Sequence, residues 1–125
     1  MAAARALALA AVKAQDVIHG VTNSGQLKLL LVYETSPARI RTRHVTTGEK
    51  IEFDRNGHSL PDGRKEGCTI TSTAVLSRAD YETTIGLDRK MRTGKEHPDF
   101  VLSRAEINLL LHVHEYFEAH PLPEE

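Results

Sequence analysis

The chain is poor in the residues that most often announce a chemistry. Its 125 residues include one cysteine, no tryptophan, three phenylalanines and three tyrosines. The lone Cys68 allows neither an intrachain disulfide nor a thiolate metal centre, and it fits a reducing, cytoplasmic setting. So few aromatics leave little for stacking on unpaired bases. No apolar run approaches the roughly 18 residues of a membrane span, so no membrane partner is expected. There is no G-x-G-x-x-G, no Walker loop, no G-x-S-x-G and no H-E-x-x-H. The sequence therefore assigns no catalytic residue, no cofactor and no metal. Charge of one sign is also missing: the formal net charge is -1, so any electrostatic preference must come from local clustering.

What is present is an ordinary globular composition, 40% hydrophobic and 26% charged, at a length that suits one domain over residues 1–125. The clearest element is the C-terminal helix, read over residues 99–120. Ser103 and Glu106 have the spacing of a capping box, with Leu102 and Ile107 placed as a hydrophobic staple. Pro121 stops the helix near His120. At about 100° per residue, Leu109, Val113, His114, Tyr116 and Phe117 fall on one broad apolar arc with Ile107, Leu110 and Leu111. The arc exceeds the usual stripe. Either it lies deep against a sheet, or Leu109, Val113, His114, Tyr116 and Phe117 meet a second copy or a partner, which predicts a homodimer. His112 and His114 are about 200° apart on a helix and cannot share one metal ion.

Residues 1–20 read as an N-terminal helix, with periodic apolar residues from 3 to 18 and Gly20 as its left-handed stop. The segment MAAARALALAAVKAQ holds no acid, but its apolar core is short for a signal peptide and Lys13 interrupts it. A β-rich body follows over 26–88. Strands are predicted at Gln26–Glu34, Ala38–Thr47, Lys50–Asp54 and Cys68–Leu76, with Asn56-Gly57 as a hairpin turn. Leu76-Ser77-Arg78-Ala79-Asp80 nearly repeats the Leu102–Glu106 cap, which would start another helix. Tyr81, Thr83, Ile85 and Leu87 alternate instead, so a turn and a fifth strand are expected there, then a basic loop from Arg89 to Lys95. The sum is α+β: a small antiparallel sheet or open barrel of about five strands, with an N-terminal helix and a capped C-terminal helix packed on it.

One strand carries the functional lead. Arg39, Arg41 and Arg43 share a face at roughly 7 Å per step, a spacing that suits a line of phosphates or carboxylates. Arg89, Lys90, Arg92 and Lys95 extend it. Alternatively, Glu34, Glu49, Glu52 and Asp54 neutralise the row across the strands. His58, Asp62 and Glu66 share a loop and could meet as a small catalytic cluster. The leading expectation is a non-enzymatic binding or regulatory module facing an anionic partner, protein or nucleic acid. A self-associating adaptor and a small enzyme are the alternatives.

The succession helix, GQLKLLLVYE, RIRTRHVTT, a Gly-rich loop, CTITSTAVL and TTIGLDRKM resembles a WYL domain over residues 10 to 92. Tyr33 closing a strand, Arg41 or Arg43 in the next, and Leu87-Asp88-Arg89 carry the likeness. The Trp-Tyr-Leu motif itself is absent and the C-terminal helix lies outside the pattern. The resemblance implies an SH3- or Sm-like barrel that senses nucleic acids or nucleotide-like ligands, with Arg41, Arg43 and Arg89 at the ligand.

Overall fold

The computed structural model describes residues 4–61, 66–94 and 102–123. The chain runs α1 (Ala4–Ala10), β1 (Val17–Thr22), β2 (Leu27–Thr35), β3 (Arg39–His44), β4 (Lys50–Asp54), β5 (Cys68–Ser72), α2 (Arg78–Gly94) and α3 (Arg104–Ala119). The fold is α+β, as the sequence predicts. All strands pair antiparallel, in the order β4-β3-β2-β1-β5. The sheet curls into a half-barrel. Residues 57–60 hydrogen-bond to both of its edges: Leu60 N donates to Glu52 O and Ser59 N to Cys68 O, each at 2.9 Å. The turn before them is the expected Asn56-Gly57, with Gly57 at φ 85°.

Two apolar layers hold the sheet. Inside the curl, Ile18, Leu30, Val32, Ile40, Phe53 and Ile70 come from all five strands. Leu9 and Val12 plug this interior from the N-terminal segment, and Leu122 joins it from the other terminus. On the outer face, Val17, Leu29, Leu31 and Val45 meet Leu87 of α2 and Val113 and Phe117 of α3. No helix among the described residues is long and apolar enough to cross a membrane.

Three expectations need correction. The N-terminal helix ends at Ala10, and residues 17–22 form a central strand instead. Gln15 leaves the helix at φ 78° and its N–H donates to Val32 O at 2.7 Å. From there VIHGVT, rich in β-branched residues, pairs with β2 and β5. Gly20 is thus no helix stop. A Cβ there would lie 3.0 Å from Cys68 Sγ and 3.2 Å from Thr69 O, so glycine permits the close approach of β1 and β5. Second, β5 ends at Ser72 rather than Leu76.

Third, residues 81–87 are not a strand, and 89–94 are not a loop: both lie in α2. Ser77 Oγ caps the helix by accepting from Asp80 N at 3.1 Å. The Thr83 and Thr84 hydroxyls donate back to Ala79 O and Asp80 O at 2.8 and 2.7 Å, which satisfies them within the helix. The residues it buries, Thr84, Leu87 and Asp88, follow helical spacing, and Gly86 sits on the exposed side. The expected strand count survives because β1 takes the place of the strand read at 81–87.

α3 begins where its cap predicts. Ser103 N donates to Glu106 Oε1 at 2.8 Å and Glu106 N to Ser103 Oγ at 3.1 Å. These bonds, with Lys90, hold the Glu106 carboxyl down at about 2. Of the proposed staple, Ile107 is largely exposed, whereas Leu102 packs against the outer core.

Candidate anion-binding surface

The alternation in β3 is as expected. Ile40, Thr42 and His44 are buried, and Arg39, Arg41 and Arg43 take the opposite, half-exposed face. Each arginine already meets a carboxylate. Arg39 Nε lies 3.7 Å from Glu52 Oε1 and Arg41 Nε 3.3 Å from the same oxygen. Arg41 also pairs with Glu34. Glu34 first, and then Glu52, raise the Arg41 pKa further above its ordinary value.

Arg43 is held differently. Its Nε and Nη2 donate to the two oxygens of Asp88 at 3.0 and 3.1 Å, a bidentate clasp between β3 and α2. Arg92 Nε donates to the same carboxylate at 3.1 Å. Asp88 is 1% exposed. A buried carboxylate under two guanidiniums fixes α2 to the sheet, which gives Arg43 and Arg92 a structural task. Lys90 turns the other way, to Glu106 at 2.9 Å. Arg92 thus meets Arg43 of β3 at one carboxylate while Lys90 points away toward α3, and Arg89, Lys90 and Arg92 all lie on α2 rather than on a loop. Lys95 and Asp62 lie outside the described residues.

Two residues that the arginine argument passed over complete the surface. The Tyr33 ring has the Arg43 guanidinium 6.0 Å and the Lys50 ammonium 5.8 Å from its centroid. A cleft of about 800 Å³ reaches from Tyr33, Arg41 and Lys50 to the end of the barrel, where Thr22, Lys28 and Cys68 line it. The Lys28 signal was present in the sequence: a lysine alternating with Leu30 and Val32 belongs on the inward face. Cys68 is buried, and that burial pushes its thiol up to about 11, far from a nucleophile's range. Glu66, from the loop read as a catalytic cluster, accepts from Ser24 N and Oγ at 3.0 and 2.9 Å, which pulls its pKa down.

The histidines pair within the chain. His19 Nε2 and His114 Nδ1 are 2.9 Å apart, and His19 stacks on Phe117. Burial lowers His19 to about 4, with His114 adding to the shift. His114 is lowered by burial, against the opposing Glu118. His112 Nε2 instead meets Asp80 Oδ2 at 3.0 Å. Among the described residues, no three His, Cys, Asp or Glu side chains gather as a metal site. The arc on α3 packs largely inside the chain: Val113 and Phe117 are buried, Leu109 and Tyr116 rest on the same core, and Tyr116 OH donates to Val75 O at 2.7 Å. Its exposed apolar remainder is Ile107 and Leu111.

No family model, curated protein or solved structure matches the chain.

Proposed function

We propose that this chain is a non-enzymatic binding module whose β2–β3–β4 face takes an anionic partner, an acidic protein segment. The supporting observation is how Arg39 and Arg41 are held. Both side chains are about 40% exposed, and their partners Glu34 and Glu52 are no deeper. Such pairs are worth about 0–1 kcal/mol, so an incoming carboxylate replaces one acid by another at little cost. Tyr33 and Lys50 beside them add an aromatic face and another cation. The scarcity of aromatics in the chain argues for protein over single-stranded nucleic acid.

The test is binding of an acidic peptide, in parallel with a DNA duplex, across a salt series. Arg41→Glu should weaken peptide binding by about tenfold or more and leave the fold intact. Equal binding by wild type and variant at every salt concentration removes the proposal, and tighter binding of the duplex reassigns the partner. A second reading, self-association, draws on Ile107 and Leu111, which are 45% and 55% exposed and one turn apart on α3. A sedimentation mass that rises with concentration in wild type, and not in Leu111→Glu, supports it.

A further inference from the structure

The end of the half-barrel holds a cation whose setting the arginine surface does not explain. Lys28 pairs with Gly20 on β1 and precedes Leu30 and Val32 on the inward face of β2. Its side chain is only 12% exposed, yet it lines the cleft. Its partner is Glu49 Oε1, at 3.8 Å, too far for a hydrogen bond. Among the described residues the ammonium donates no hydrogen bond. The stem is sunk in the wall while the ammonium itself opens into the cleft, so its three donors face a ligand rather than the protein. The neighbouring charges are committed elsewhere: Glu66 to Ser24, and Glu52 to Arg39 and Arg41. Ile51 and Leu60 supply an apolar wall to the same cleft.

We propose that this cleft binds a small monocarboxylate with an apolar body, its carboxylate on Lys28 in place of Glu49 and its body against Ile51 and Leu60. One negative charge matches the site because it substitutes for the one that Glu49 withdraws. A phosphate dianion would place a second charge near Glu49 and Glu66, which repel it. The cleft shares Tyr33, Arg41 and Lys50 with the proposed docking face but not Arg39, and the cation that distinguishes it is Lys28.

The experiment is a calorimetric titration of the full chain with hexanoate, with inorganic phosphate and hexylamine as comparison ligands. Wild type should bind hexanoate with a dissociation constant on the order of 1 mM. Lys28→Met keeps the buried stem and should weaken binding by about tenfold or more. Glu49→Gln removes the competing carboxylate and should tighten it several-fold, a gain that a purely structural Lys28–Glu49 pair would not produce. Arg39→Glu should leave it unchanged, because Arg39 lies outside the cleft. Absence of saturable hexanoate binding to wild type overturns the proposal. So does phosphate or hexylamine binding as tightly as hexanoate, equal binding by Lys28→Met, or a Glu49→Gln chain no tighter than wild type. Should Lys28→Met fail to fold, the Glu49→Gln result decides alone.

Discussion

Mild acid should loosen the seam between α3 and the sheet. His19 is 1% exposed and its ring is bracketed by His114 Nδ1 at 2.9 Å, Thr71 Oγ1 at 3.2 Å and the Phe117 ring. In the neutral pair one imidazole nitrogen donates and the other accepts; protonating both rings would set two N–H groups and two positive charges against each other in a buried seam. Burial lowers the folded pKa from 6.5 to about 4. Below 6.5 the unfolded chain therefore takes a proton that the folded chain refuses. Stability is complete above that value and falls as the pH drops toward the folded pKa. For a shift from 6.5 to about 4, linkage gives a loss of about 2 kcal/mol between neutral pH and about pH 5, approaching about 3 kcal/mol in the limit. His44, lowered to about 4 by burial, with Lys28 and His114 adding to the shift, loses stability in the same direction. Glu118 opposes the shift on His114. The assay is urea unfolding at about pH 7 and pH 5, where ordinary carboxylates contribute little because they titrate near 4. His19→Gln retains a donor and an acceptor and should remove about 2 kcal/mol of the pH-dependent loss. Identical pH dependence in wild type and His19→Gln would refute the reasoning.

Three further perturbations probe the frame. Asp88→Ala strips the buried carboxylate from Arg43 and Arg92 and should cost about 3 kcal/mol by denaturant unfolding; a change within error would mean that α2 is held by its apolar contacts alone. Gly20→Ala forces a methyl to within 3.0 Å of Cys68 Sγ and should cost about 1–3 kcal/mol, read as a fall in Tm. Ser103→Ala removes half of the capping box and should cost about 1 kcal/mol; an unchanged urea midpoint would show that the cap contributes nothing.

The elements legible in the sequence were those whose local pattern and tertiary packing agree. β3 reads correctly because its period of two is the burial pattern, and α3 because its cap and its apolar arc point to one helix. β1 and α2 were misread where pattern and packing part. In β1, alanine-rich helix periodicity runs up to Ile18 without a marked break, and only pairing on both sides by β2 and β5 makes Val17–Thr22 a strand. In α2, the alternation of Tyr81, Thr83, Ile85 and Leu87 is incidental. Thr84 and Asp88, polar residues that a binary pattern assigns to the surface, face inward beside Leu87. The near-repeat of the Ser103 cap at Ser77 was the sounder signal, because it specifies a hydrogen bond that then forms.

The helical placement of Asp88 also divides the basic surface in a way that residue spacing does not show. The row Arg39, Arg41 and Arg43 is visible from spacing alone, but spacing treats the three as equals. Once Asp88 is a buried residue on a helix, the row divides. Arg43 is clasped by a carboxylate 1% exposed, and releasing it would leave that buried charge with Arg92 alone. Arg41 and Arg39 share exposed acids and change partners cheaply. An acidic segment docking on this strand would therefore work at its Arg39–Arg41 end, toward Glu34 and Glu52. A charge reversal at Arg43 would report on folding before it reported on binding.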